Sequence, residues 1–89
     1  MKKPYLEVTF RRGFPIAAYL YFNRKPGDKS YRTAKAEQGM LIDYEKGGRA
    51  IGIEITAPSK VTVSYLNRVL LEIGAPEISG DDLAPLKAA

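Results

Sequence analysis

The chain has 89 residues, of which 45% are hydrophobic and 27% are charged, so it suits one small globular domain rather than two domains or a disordered chain. It contains no Cys, His or Trp, which excludes disulfides, thiolate or imidazole metal ligands and the commonest general base. The formal net charge is +4, and residues 1–38 hold nine positive and three negative side chains. Such a basic half attracts nucleic acid or an acidic protein, or simply keeps a small protein in solution.

The sequence also lacks the signals of membrane insertion and of catalysis. The longest apolar run covers residues 14–22, whereas a membrane-spanning helix needs about 20 residues. No Ser-x-x-Lys or Gly-x-Ser-x-Gly motif is present for nucleophilic catalysis. We therefore expect a cytoplasmic, non-enzymatic protein without a cofactor or a metal ion.

Two strands are predicted near the start of the chain. Residues 5–10 alternate between apolar and polar side chains, which indicates a half-buried strand. Residues 16–22 are apolar or aromatic on both faces, which predicts a central strand covered on both sides. A helix can form one cover, and a second copy of the protein can form the other.

A loop over residues 23–29 precedes a polar edge strand over residues 30–37 and then a hairpin. The hairpin strands are predicted around residues 40–45 and 51–55. Keeping the polar faces together requires a two-residue turn at residues 46–47, or a four-residue turn around them. That parity would place Ile42 opposite Ile51, and Met40 opposite Ile53.

A helix is predicted over residues 62–73, with Thr62 as its N-cap and Gly74 as its left-handed terminator. Residues 1–75 then form the domain. Residues 76–89 form a tail that is either mobile or adds one helical turn, which a capping box from Ser79 to Asp82 would begin. The predicted fold is α+β: a five-stranded antiparallel meander (β-β-β-β-β-α) with one C-terminal helix packed on one face.

The hairpin sequence GMLIDYEKGGRAIGIEI, residues 39–55, resembles the prokaryotic domain of unknown function 2283 family. Members are similar to small proteins encoded beside putative toxins, so the resemblance implies a bacterial context and an antitoxin-like partner role. Family members usually carry acidic residues before the aromatic strand, where this chain has Arg11 and Arg12. The positions that match the family pattern include Asp43, Gly52 and Glu54.

Asp43, Glu45 and Glu54 share one predicted face of the hairpin. Carboxylate oxygens suit Mg²⁺ or Ca²⁺, but the chain has no loop with the spacing of a calcium-binding motif, so a solvated sheet face is the favoured interpretation. Gly52, inside a strand, predicts a bulge or a close approach of another group.

A basic and aromatic set is the best candidate for ligand binding. Its cations would contact nucleic acid or an acidic partner, while Tyr19, Tyr21 and Tyr31 could stack on bases. The favoured alternative places the tyrosines in a core or a dimer interface and the cations in solvent. The cations are Arg11, Arg12, Arg24, Lys25, Lys29, Arg32 and Lys35.

Self-association follows from the predicted layers. One helix covers one sheet face, so a homodimer that buries the face of Tyr19 and Tyr21 is the simplest cover for the other. The sequence therefore favours a homo-oligomeric protein-interaction module, with nucleic-acid binding through the basic loops and edge strand as the alternative.

Overall fold

The computed structural model describes residues 5–22, 25–36 and 39–87, and it has the predicted α+β class. Five strands form one antiparallel sheet, and two helices follow the last strand. The strands are β1 (Tyr5–Arg11), β2 (Phe14–Tyr21), β3 (Arg32–Lys35), β4 (Met40–Tyr44) and β5 (Ala50–Ile55). A 3-10 turn (Pro58–Lys60), α1 (Val63–Glu72) and α2 (Gly80–Lys87) complete the chain.

The strand order is β1-β2-β5-β4-β3, so the predicted simple meander is wrong. β5 lies between β2 and β4, so both of its edges are hydrogen-bonded, and its three isoleucines are fully buried, as suits the centre of a sheet. β3 is polar and mostly exposed, so it takes the sheet edge that was predicted for it. The connection from β2 to β3 consequently passes over the end of the β4–β5 hairpin.

The predicted register of the β4–β5 hairpin is also wrong. Ile42 pairs with Ile53 rather than with Ile51, and Met40 pairs with Ile55. Hydrogen bonds from Gly48 N to Glu45 O and from Glu45 N to Arg49 O leave a three-residue loop. A loop with an odd number of residues would put the polar face of one strand beside the apolar face of the other. A bulge between the Tyr44 and Asp43 pairs brings the matching faces together again.

The ends of α1 follow the predicted signals. The Thr62 hydroxyl accepts a hydrogen bond from the Tyr65 N–H at 3.1 Å, which caps the N-terminus. Gly74 has a φ of +74°, and the Ala75 N–H reaches back to Leu70 O at 2.8 Å. This left-handed glycine and its reverse hydrogen bond end the helix.

The predicted single helix is one of two: residues 80–87, expected to be either mobile or part of one added helical turn, form the eight-residue helix α2. The capping box is present: the Ser79 hydroxyl accepts from the Asp82 N–H at 3.1 Å, and the Asp82 carboxylate accepts from the Ser79 N–H at 3.4 Å. The Asn67 side chain holds the segment before α2 by bonding both the N–H and the C=O of Ile78.

Both helices cover the same face of the sheet. Ile78, Leu83 and Leu86 are buried with the apolar side of α1 against one set of strand residues. Among the described residues, neither helix is long and apolar enough to cross a membrane. The buried set on the sheet consists of Ala18, Leu20, Met40, Ile42, Ile53 and Ile55.

Candidate functional site

The sheet face opposite the helices carries tyrosines and carboxylates. Alternation places these side chains in two rows that run across the strands. One row runs Tyr5, Tyr21, Gly52, Asp43 and Thr33, and the next runs Glu7, Tyr19, Glu54, Leu41 and Lys35. We call the part formed by Tyr5, Glu7, Tyr19, Tyr21, Asp43 and Glu54 the acid–tyrosine face.

The tyrosines of this face contact one another. The ring centroids of Tyr19 and Tyr21 lie 4.5 Å apart, and those of Tyr21 and Tyr5 lie 5.7 Å apart. Tyr19 also lies against Gly52, where an added Cβ would come within 2.3 Å of its Cε1 atom. The close approach that the sequence predicted at Gly52 is therefore made by Tyr19, and the absence of a side chain at Gly52 gives the ring its place.

Asp43 joins three parts of the sheet. Its Oδ2 atom accepts a hydrogen bond from the Tyr19 hydroxyl at 2.5 Å. Its Oδ1 atom accepts from the Thr33 hydroxyl at 2.6 Å and from the Ser30 hydroxyl at 3.2 Å. Because Asp43 lies on β4, these bonds join β4 to β2, to β3 and to the connection that precedes β3. Asp43 therefore holds that connection against the sheet.

A second carboxylate fastens the same connection at the β4–β5 turn. Asp28 accepts from the Lys25 N–H at 2.7 Å and from Nη2 of Arg49 at 2.6 Å. The Lys25 N–H first, and then the Arg49 guanidinium, lower the pKa of Asp28 from its ordinary 3.8. The carboxylate in turn raises the pKa of Arg49. Asp28 is therefore ionised, and bonded, throughout the neutral range.

The predicted acidic set does not converge. Asp43 and Glu54 lie on the acid–tyrosine face, whereas Glu45 turns inward at the β4–β5 loop and accepts from the Arg49 N–H at 2.8 Å. Backbone N–H groups of Arg49 and Gly47 lower the pKa of Glu45. Within the described residues, no group of three or more His, Cys, Asp or Glu side chains is placed to hold a metal ion.

The β1–β2 hairpin extends past the rest of the sheet. β2 pairs with β5 through residues 18–21, whereas in the described part of the chain residues 14–17 have only β1 as a strand partner. The turn takes left-handed backbone at both central positions, with φ of +52° at Arg12 and +81° at Gly13. We call Phe10, Arg11, Arg12, Phe14 and Ile16 the hairpin tip.

The hairpin tip exposes large apolar side chains next to two arginines. Phe14 is 60% exposed, and Phe10 and Ile16 are each 47% exposed. The sequence analysis did not predict this, since residues 16–22 were interpreted as a strand covered on both sides. Alternation along a strand does not reveal how far that strand runs beyond its neighbours. The arginine pair at the turn was the one local signal of an exposed end.

The predicted basic set is divided between the two ends of the sheet. Arg11 and Arg12 lie at the hairpin tip, while Lys25 and Lys29 lie beyond the other end of β2, about 25 Å away for a strand of this length. Arg32 stacks on the ring of Tyr44 with its Cζ atom 4.2 Å from the centroid. Lys35 lies on the edge strand, Tyr31 is exposed just before it, and Arg24 lies outside the described residues.

Comparison with known proteins adds no relative: no family model matches the chain, and neither a curated protein nor a solved structure matches it significantly. The resemblance to the domain of unknown function 2283 family therefore stays a prediction.

Proposed function

We propose that the chain is a non-enzymatic, homo-oligomeric protein-interaction module. The observation that carries this proposal is the hairpin tip, where Phe10, Phe14 and Ile16 stand in solvent beside two arginines. Fully burying one such side chain is worth roughly 1.5–3 kcal/mol, so a partner that covers all three gains a substantial driving force. Exposed apolar groups rimmed by polar ones are typical of protein contact sites.

The tyrosines contribute to the same function in a different way from the one first expected. Tyr19 and Tyr21 are half-buried: their rings contact each other, and Tyr19 packs on Gly52, so they form a flat, fixed surface rather than side chains that project from it. Their rings still offer an apolar surface with hydroxyl groups at its rim, which suits a protein partner. An antitoxin-like role, with a cognate toxin as partner, is the form of this proposal that the family resemblance implies.

Nucleic-acid binding is the second candidate, and the exposed Arg11–Arg12 pair at a projecting turn favours it. The charge of the acid–tyrosine face opposes it, since Glu7 and Glu54 flank Tyr19 on both neighbouring strands. Phosphates are repelled where bases would have to stack. The division of the other cations between opposite ends of the sheet also removes a continuous basic surface.

Light scattering on a size-exclusion column tests the proposal with a matched pair of variants. The wild-type chain is expected at twice its 9.9 kDa monomer mass. Phe14→Ser with Ile16→Ser removes apolar surface from the hairpin tip and should give the monomer. Leu71→Ser removes a leucine on α1 that is even more exposed, at 80%, and should leave the mass unchanged. A wild-type monomer at every concentration would refute self-association.

Fluorescence anisotropy of labelled duplex DNA and single-stranded RNA tests the second candidate. We expect no binding at physiological salt. Tight binding that weakens steeply as salt rises, and that is lost in Arg11→Glu with Arg12→Glu, would replace the proposed function with nucleic-acid recognition.

A further inference from the structure

We infer that the self-association is reciprocal: the hairpin tip of one copy docks on the acid–tyrosine face of a second copy, and the second copy returns the same contact. This inference rests on the proposed self-association and names its two surfaces. It depends on charge complementarity between the hairpin tip and a face that begins on the same two strands, β1 and β2, and continues onto β5 and β4.

The hairpin tip is cationic and apolar. Arg11 and Arg12 are exposed at the turn, and Phe14 follows them with most of its surface accessible. An arginine beside aromatic side chains suits a partner that offers carboxylates and ring faces together, because guanidinium groups bond carboxylates bidentately and stack on tyrosine.

The acid–tyrosine face offers those groups. Glu7 and Glu54 are exposed and pair in register with Tyr19 from either side, so two carboxylates flank one ring. Tyr5 is 60% exposed at the outer edge of the same face. Lys35, on the same side of the sheet, lies at the far edge on β3, three strands away from β2, and so leaves the charge around Tyr19 unopposed.

The alternative dimers are opposed by like charges. Two acid–tyrosine faces packed together would bring Glu7 and Glu54 against the same carboxylates of the other copy. Two hairpin tips packed together would oppose Arg11 and Arg12 in the same way. Each surface repels its own kind and attracts the other, which selects the tip-on-face contact.

A closed pair satisfies both contacts at once. The hairpin tip and the residues Tyr5, Tyr19 and Tyr21 belong to the same β1–β2 hairpin. Two copies whose hairpins run in opposite directions therefore bring each hairpin tip over the acid–tyrosine face of the other copy. Such a two-fold arrangement uses both patches of both copies and leaves none to start a chain of molecules.

The backbone at Arg12 agrees with a binding role for its side chain. A two-residue turn with positive φ at both central positions usually has Asn followed by Gly. Here Arg12 takes the first position at φ +52°, a conformation that ordinary side chains adopt reluctantly. The turn requires this conformation, so Arg12 occupies a position where Asn would fit with less strain, and strained residues cluster at functional sites.

Charge reversal with complementation tests the inference. The first variant carries Arg11→Glu and Arg12→Glu, and the second carries Glu7→Lys and Glu54→Lys. Each alone places like charges across both contacts, so its dimer dissociation constant, from sedimentation equilibrium, should rise at least about tenfold. Mixed in equal amounts, the two variants regain opposite charges at both contacts and should form a heterodimer within about threefold of the wild-type affinity.

A control and a neutral variant separate docking from folding. Lys46→Glu with Arg68→Glu makes the same change in net charge at the β4–β5 turn and on α1, and should leave the affinity unchanged. Arg11→Gln with Arg12→Asn removes both tip charges but supplies the usual turn residue, so it should weaken the dimer while keeping or raising the melting temperature.

The outcomes distinguish this inference from the proposed function. If the wild-type chain dimerises and both reversed variants dimerise equally well, another surface is used and the tip-on-face contact is wrong. If both variants dissociate but the mixture does not reassociate, the two patches do not face each other. A wild-type monomer refutes the self-association itself.

Discussion

The ring of Tyr19 occupies the space that a side chain at position 52 would need, with its hydroxyl bonded to Asp43 on the next strand but one. The glycine, the ring and the carboxylate thus form one unit across β2, β5 and β4. This unit fixes the position of the Tyr19 ring in the acid–tyrosine face.

Gly52→Ala should destabilise the fold by about 1–3 kcal/mol, because the new methyl group displaces the Tyr19 ring and lengthens its bond to Asp43. Urea unfolding measures the loss. Gly80→Ala is the matched control, since nothing lies within 4 Å of an added Cβ there and its backbone is helical. The control should be neutral or stabilising by up to about 1 kcal/mol. Equal effects at the two glycines would contradict the packing argument.

Tyr19→Phe should cost about 1–2 kcal/mol in the free energy of unfolding, because Asp43 loses one of its hydroxyl donors at a half-buried position. Tyr21→Phe removes a 3.4 Å exposed hydrogen bond to Glu7 and should cost less than about 0.5 kcal/mol. The two denaturation midpoints, measured side by side, give the comparison. A smaller loss at Tyr19 than at Tyr21 would be inconsistent with the role given to Asp43.

Acid should destabilise the protein through Asp28 and Glu45, whose pKa values are both lowered in the folded state. A carboxyl group with a depressed folded pKa adds stability above its unfolded pKa, and this is lost as the pH falls through the folded pKa. The melting temperature should therefore decline below about pH 5. Asp28→Asn should flatten this decline, because it removes the Lys25 and Arg49 bonds to an ionised group. If the melting temperature of Asp28→Asn falls with acid as steeply as that of the wild type, Asp28 does not contribute to the acid sensitivity.

Leu83→Ala should cost about 2–4 kcal/mol, because this side chain of α2 is buried in the core between helix and sheet. Leu71→Ala, on the exposed side of α1, should change stability by less than about 0.5 kcal/mol. Thermal melts followed by circular dichroism measure both. A negligible effect at Leu83 would mean that α2 does not belong to the cooperative unit.

Local signals predicted much of this fold. Thr62, Gly74 and the Ser79–Asp82 box each act within a few residues, so the sequence alone identified them as helix ends. Alternation within β4 and β5 correctly placed Asp43 and Glu54 on one face. These features depend on bonds between near neighbours, and short-range patterns are where single sequences carry the most information.

Long-range features were beyond the same reasoning. The strand order depends on which strand edges pair with each other, and these strands are distant in sequence. Nothing local in residues 22–31 signals that the connection from β2 to β3 skips two strands. The predicted hairpin register holds only for a regular ladder, whereas the β4–β5 ladder has a bulge between the Asp43 and Tyr44 pairs. The length of α2 was not foreseen either: it contains Pro85, and burial of Leu83 and Leu86 in the core stabilises it.

The most direct measurement is sedimentation equilibrium of the wild-type chain over a dilution series, followed by the mixed charge-reversed variants under the same conditions. We expect a reversible dimer of twice 9.9 kDa that each variant loses and that the mixture restores. A mass of one chain at every dilution would contradict it.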